Sequence, residues 1–352
     1  MNALFEEFAA PGGPRLKVDP AGPPMPSRLR ELARELWWAT CGRPMKRSWL
    51  AWPELYRYLS GVYRAVGDQL YPTPVPAPES VAVAGDTGLI WVACSGGKDG
   101  LATALLAREA GLEVVLYHVA GLNRGTASAE HAAVARQAAV IRAPLVVQHV
   151  SISGPQAGFV EMPTKNQVLA TLLVGAMVSA RPQGGQYALG NVLADHAEHL
   201  NPRLALSDSV EAVEAWHAVL CTLVPGLARR TWLRHELEAL ATLMKHGLVE
   251  LAHGCMAPLR YRAGYRQANE RKYGPLLPDR CGSCTKCCSE TLMLRALGWP
   301  VAEGLFRHAL EYMARQYLEE VPAARGRGVG LGEVQEFYAP WRLAAELEAA
   351  LR

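Results

Sequence analysis

One stretch, Ile90 to Gly111, reading IWVACSGGKDGLATALLAREAG, constrains this chain more than any other. Apolar residues run straight into a bend and then recur at helical spacing. Ile90, Trp91, Val92 and Ala93 suit a strand buried on both faces, and Leu101, Ala104, Leu105 and Ala107 mark one face of a following helix. Between them lie Cys94, Ser95, Gly96, Gly97, Lys98, Asp99 and Gly100. Adjacent glycines let the backbone take positive φ and approach a ligand closely, so successive N–H groups can line one concavity at the positive end of a helix. Such a turn cradles an anion. Gly97 meets Lys98 directly, which excludes the GxxxxGK[ST] phosphate loop, and GxGxxG spacing is absent too.

The residues Ser95-Gly96-Gly97-Lys98-Asp99-Gly100 resemble the SGGxDS loop of the PP-loop ATP pyrophosphatases, which cleave ATP between its α and β phosphates. The resemblance implies that Ser95, Gly96, Gly97 and Lys98 wrap pyrophosphate, that Cys94 and Gly100 flank it, and that Asp99 helps hold Mg2+. Gly100 departs from the pattern, since it replaces a serine and removes a hydroxyl contact to phosphate.

Composition sets the outer limits. At 352 residues the chain exceeds one ordinary core, so a main domain with appended pieces is expected. The net charge of +3 is too slight to imply nucleic-acid binding by itself, although it permits a local basic patch. The longest uncharged apolar run, Gln167 to Ala180, is too short to span a bilayer and reads as a buried helix, so no membrane partner is expected. The first residues lack a basic start followed by an apolar core, which argues against a secretory signal. A cytoplasmic location is expected, and the eight cysteines then read as thiols or ligands rather than disulfides.

Along the chain, residues 1 to 27 carry prolines dense enough to predict an extended arm without ladder pairing. Arg28 to Leu70 turns helical and aromatic, with Trp37, Trp38, Trp49, Trp52, Tyr56 and Tyr58 among arginines. Aromatics among cations can stack on bases, but the favoured reading is a small helical extension that packs its rings on the main domain. Prolines at 72, 74, 76 and 78 mark a linker, so the expected units are 1–80, an ATP-binding domain over 81–250, a cysteine module over 251–298 and a helical segment over 299–352.

After the loop, strand and helix alternate. Glu113 to Val119, Pro144 to Ile152 and Gln186 to Gly190 read as strands, while Ser128 to Ile141 and Thr164 to Ala180 read as helices. The predicted fold class is α/β, a Rossmann-like doubly wound parallel sheet, with right-handed crossovers gathering the strand C-termini along one ligand-binding edge. That edge collects His118 and Asn123, then Lys165 and Asn166 at a helix start, then Gly190 and Asn191. Asp195 and His199 are four apart, and with His196 and Glu198 they offer carboxylate and imidazole for metal binding or proton transfer, or else a capped helix start with solvated charges. Helices are also expected over Asp208 to Leu223 and Thr231 to Leu251, with Cys41, Cys94 and Cys221 as buried apolar residues.

Residues 280 to 290 read RCGSCTKCCSE. Cys281, Cys284 and Cys287 can present thiolates to one ion, and Cys255 is the preferred fourth ligand over Cys288, whose neighbour is already a ligand. Zn2+ is the expected occupant, with an iron–sulfur cluster the competitor. A PP-loop with a C…CxxCxxC site behind it is similar to the 7-cyano-7-deazaguanine synthase family over roughly Gly88 to Gly298. That resemblance implies ATP-dependent C–N ligase chemistry with Lys98, Asp99, Lys165, Asn191, Asp195 and His196 at the reacting centre and ATP held additionally by His118, Asn166 and Gly190. It implies a small deazapurine-like substrate. Departures are the distance from Cys255 to Cys281, the arginine-rich insertion between them, and residues 1–80, which leave room for a protein or nucleic-acid acceptor. Thiolation of tRNA and non-catalytic nucleotide binding stay open. Two amphipathic segments after Trp299 read as a packing or homodimer-forming element.

Overall fold

The computed structural model describes residues 6–9, 15–18, 26–40, 88–121, 126–153, 165–180, 185–190, 210–233, 236–255, 257 and 259–312. In chain order the strands are β1 (Glu6–Ala9), β2 (Arg15–Val18), β3 (Leu89–Ala93), β4 (Glu113–Ala120), β5 (Leu145–Ser153), β6 (Gln186–Ala188) and β7 (Ala228–Arg229). The helices are α1 (Ser27–Thr40), α2 (Lys98–Glu109), α3 (Ala127–Ile141), α4 (Lys165–Ala180), α5 (Val210–Leu223), α6 (Glu236–Lys245), α7 (Leu259–Tyr273) and α8 (Thr285–Ala296), with a 3-10 turn at Val249–Leu251.

The sheet runs β1-β2-β5-β4-β3-β6-β7. Its five strands from β5 to β7 are parallel, and the β1/β2 hairpin adds an antiparallel edge. Alternation along the central strands sorts side chains to two cores. Trp91, Ala93, Val115, Tyr117 and Val119 face α1, α4 and α5, where Leu29, Leu32, Leu172, Leu173 and Trp216 pack. Ile90, Val92, Cys94, Val114 and Leu116 face α2, α3, α6 and α8, where Leu101, Val134, Leu240 and Met293 pack. A sheet covered on both faces explains why these strands are apolar throughout. This is the doubly wound α/β fold. Chain order reverses between β3 and β6, and in such sheets the crevice beyond the strand C-termini at that reversal is where ligands bind.

The Gln167–Ala180 run is the buried core helix its composition implied. Trp216, 2% exposed, wedges against it and donates its indole N–H to Thr171 Oγ1 at 3.2 Å. Trp216→Ala should therefore lower stability by about 3–5 kcal/mol in a denaturant titration, because the cavity cannot collapse between helix and sheet. Among the described residues no helix is long and apolar enough to cross a membrane.

Two expectations need correction, and one strand was not foreseen. Residues before 27 do enter a ladder, since Pro11, Pro14 and Pro20 fall outside the four-residue strands and only short runs need free N–H groups. Leu16 pairs with Ile152 and Val18 with Val150. The long helix over 231–251 is instead α6 and a 3-10 turn, with Gly247 at φ 67° interrupting it. Finally, β7 escaped notice because two residues carry no alternation.

Candidate functional site

Cys94 leaves β3 at the chain reversal, and the next residues form a turn in which the Cys94 and Gly96 carbonyls are drawn back into the protein. Buried His118, at 1% exposure, reaches Cys94 O with Nδ1 at 2.9 Å. Gly96 O accepts the His253 backbone N–H at 2.6 Å and Gln137 Nε2 at 2.7 Å. Gln137 also donates to Leu251 O at 3.0 Å and accepts the Cys94 thiol at 3.2 Å. That thiol is inert, since burial pushes its pKa up to about 11. With the Cys94 and Gly96 carbonyls held inward, the N–H groups of Ser95 and Gly97 have no backbone acceptor among the described residues, while the Gly96 N–H turns to the Cys94 sulfur. They stand at the N-terminus of α2, whose first turn adds further unpaired N–H groups and a partial positive charge. A turn of this kind can receive an anion.

Gly96 is required there. Its φ is 85°, and a Cβ at this position would lie 2.7 Å from Ala133 Cβ and 3.2 Å from Glu130 O on α3. At Gly100, an added Cβ would press at 3.1 Å on Ala93 O, Cys94 Cα and Cys94 Sγ. Gly190, beyond β6, approaches the same point with φ 62°, and its Cβ would fall 2.1 Å from Ala93 O and 2.9 Å from Gly100 Cα. Gly100 thus sits at a tight crossing where a side chain would require its neighbours to shift by a few tenths of an ångström. Gly190→Ala combines strained backbone with a collision against main chain, so a loss of at least about 2 kcal/mol is expected in thermal unfolding.

Lys98 is 1% exposed, and its Nζ lies 2.8 Å from Asp99 Oδ1 and 3.3 Å from Glu236 Oε2. Burial works against its charge, but Asp99, Glu236 and Glu290 outweigh that and hold its pKa above the ordinary lysine value. The ammonium is therefore engaged by carboxylates, and what it does directly is orient Asp99, whose side chain stays 22% exposed. Glu236 was not singled out from sequence, because it opens a helix 138 residues downstream of Lys98, by the difference of their numbers.

The four thiols come together. Sulfur atoms of Cys255, Cys281, Cys284 and Cys287 lie within 4.8 Å of one another, and those of Cys281 and Cys287 are 3.9 Å apart. Cys288 turns away, its Sγ 3.7 Å from Gly282 O. Surrounding groups fix the shell: Ser283 N–H points at Cys281 Sγ at 3.4 Å, Asn269 Nδ2 donates to Cys281 O at 2.7 Å, and buried Arg262 holds Cys255 O at 3.3 Å and Ala257 O at 3.0 Å. Crowding splits the thiols' proton affinities, with hydrogen bonds from Cys255 as the largest cause drawing Cys281 well down and Cys284 to about 6. Four soft donors so arranged suit a thiophilic metal.

Turn and thiols are joined through two residues. His253 serves Gly96 O, Gly254 follows, and Cys255 is a ligand candidate. Gly254 lies flat on the Glu290 carboxylate, where an added Cβ would come within 2.1 Å of Oε1. Glu290 and Arg280, 2% and 5% exposed at their side chains, form a buried ion pair at 2.8 Å that underpins the link, and Arg280 also donates to Ala252 O. Gln137, His253 and Glu290 carry no motif that could have marked them. Lys165 and Asn166 begin α4 and Gly190 follows β6, so both lie after strands of the same sheet edge. Asn123, Asn191, Asp195, His196, Glu198 and His199 lie outside the described residues, as do Cys41, the aromatics at 49–58 and the linker prolines.

No protein-family model matches the chain, and no curated protein does. Among solved structures it is similar to the U34-tRNA thiolase NcsA from Methanococcus maripaludis with its [4Fe-4S] cluster, at 16% identity over 62% of this chain and 75% of that one, with a TM-score of 0.35. Likeness at that level does not transfer ligands, and the site stands on its own geometry.

Proposed function

We propose that the turn over 95–100 grips the β and γ phosphates of ATP and that the protein adenylates a carboxylate or amide oxygen, releasing pyrophosphate and then AMP, in a C–N ligase-type reaction. The observation that supports this most is the turn itself: the Cys94 and Gly96 carbonyls are held inward and the Ser95 and Gly97 amides have no backbone acceptor among the described residues, at the chain reversal of a doubly wound sheet. Gripping the outer phosphates leaves the α phosphorus open. The substrate oxygen attacks it, the bond to the β-phosphate oxygen breaks, and pyrophosphate leaves with that electron pair into a field of N–H dipoles. A nitrogen nucleophile then attacks the acyl carbon, the carbon–oxygen bond breaks, AMP departs, and the nitrogen sheds a proton. Asp99, oriented by Lys98, would hold Mg2+, which supplies charge neutralisation of the phosphates. Lys165, Asn166 and Gly190, which follow strands of the sheet in the chain, would contact nucleotide and acceptor, and Asn191, Asp195 and His196, outside the described residues, are proposed to join them.

In this reading the thiols hold one Zn2+. A zinc–sulfur bond of about 2.3 Å sets tetrahedral sulfurs roughly 3.8 Å apart, close to the 3.9 Å between Cys281 and Cys287. An iron–sulfur cluster puts inorganic core between its ligands and spreads them wider. The zinc is structural, since four protein ligands leave no open position. A deazapurine-like acid is the proposed substrate, with a protein or nucleic acid as the further acceptor. Incubation with ATP, Mg2+, ammonium and 7-carboxy-7-deazaguanine should yield AMP and pyrophosphate, and Asp99→Asn should remove both products. Formation of ADP and phosphate instead would refute the adenylation.

A further inference from the structure

We infer that the outer face of α7 binds single-stranded nucleic acid, with Tyr261 and Tyr265 stacking on bases and Arg271 and Lys272 meeting phosphates. Such a strand is the further acceptor in the reaction proposed above, a role that rests on that reading, whereas the binding itself is read without ATP. The helix is divided lengthwise. Along one side, buried Arg262 holds Cys255 O and Ala257 O, Arg266 donates to Leu277 O at 2.9 Å and Leu276 O at 3.2 Å, and Asn269 donates to Cys281 O. That side anchors α7 to the thiol module. On the other side Tyr261, Tyr265, Ala268 and Lys272 are all exposed and recur at helical spacing, so they form one stripe about 16 Å long.

The contents of the stripe select its partner. Tyr261 and Tyr265 are 47% and 49% exposed, with ring centroids 6.3 Å apart and planes tilted by 47°. Among the described residues the other large apolar side chain left so exposed is Val140, on α3. Solvent-facing rings this close make a stacking platform, and rotation of either one opens the pair to a base. Gly264 lies beside them, and even an added Cβ there would meet nothing within 4 Å, so a flat base can approach the helix closely. Charge points the same way. The helix carries Arg260, Arg262, Arg266, Arg271 and Lys272 against the single acid Glu270, which Arg266 takes at 2.7 Å. Arg271 and Lys272 are exposed at the end of the stripe, where Arg271 Nε donates to its own helix at Gln267 O. A single strand presents a π-face and an anion at every nucleotide, which is what rings followed by cations along one stripe require.

The test uses the full-length protein without ATP, and fluorescein-labelled single strands of RNA and of DNA, each of about twelve nucleotides, read by anisotropy. The expected result is saturable binding of a strand that weakens as salt rises. Tyr265→Ala should bind it about tenfold more weakly, through loss of a stacking surface, and Tyr265→Phe should stay near the parent. Arg271→Glu should weaken binding and flatten its salt dependence. ATP turnover with the small acid should be unchanged in Tyr265→Ala, and Gly96→Ala should bind the strand like the parent, so failure of the surface and failure of the adenylation are told apart. Circular dichroism reports whether each variant folds. Parent that binds neither strand overturns the inference, and so does equal affinity in Tyr265→Ala. A polyglutamate peptide that displaces the strand with the same dependence on Tyr265 also overturns it, assigning the face to an acidic protein instead.

Discussion

Gly96→Ala is expected to abolish ATP turnover, with kcat/KM falling about 10^3-fold or more while the far-ultraviolet dichroism of the sheet persists. The residue sits at φ 85°, where an alanine is strained by about 1 kcal/mol or more, and the new methyl would meet Ala133 at 2.7 Å. Relief requires the turn to back away from α3. Movement in that direction breaks the Gly96 bonds to Gln137 and His253 and shifts the backbone N–H groups of the turn. Removing one donor from a charge-stabilising site costs about 10^2 to 10^3 in rate, and here several donors lose aim together. Gln137→Leu keeps the glycine and removes only the clamp, so it should show a smaller loss, mainly in KM for ATP. Equal turnover in parent and Gly96→Ala would show that the turn does not serve the reaction.

Removing the zinc proposed for the thiols should have the second largest effect, and it should reach the nucleotide. Cys281→Ser, or exhaustive chelation, leaves buried thiols crowded without a cation, and structural zinc sites of this kind contribute folding energy on the order of 10 kcal/mol. The segment around 252–257 would loosen. Because His253 N–H serves Gly96 O two residues before Cys255, ATP affinity should fall at least tenfold in the same sample. Differential scanning calorimetry with and without ATP reads both losses. Unchanged ATP affinity in metal-free, folded protein would separate the two sites.

How far the sequence reached can be argued from these residues. Strand β3, the turn and α2 were legible because a doubly buried strand, paired glycines and a helical apolar face follow each other within one local stretch. Cys281, Cys284 and Cys287 were legible for the same reason, being one turn apart. Cys255 needed elimination rather than spacing, since the chain inserts α7 between it and the others. What escaped was contact between distant segments: Gln137 reads as an ordinary polar residue on α3, and Glu290 as a surface acid, until the fold buries both. Proline density misled over 1–27 because ladder pairing depends on where prolines fall, not how many there are. Gly100, read from sequence as a lost hydroxyl, also lies at the close crossing of Ala93 and Gly190, which sequence does not show.

The most direct test is a crystal structure with Mg2+ and a non-hydrolysable ATP analogue. The account requires β- or γ-phosphate oxygens within about 2.7–3.2 Å of the Ser95 and Gly97 nitrogens, with the α phosphate facing open solvent or acceptor. Phosphates bound elsewhere, or an α phosphate buried against the turn, would contradict it.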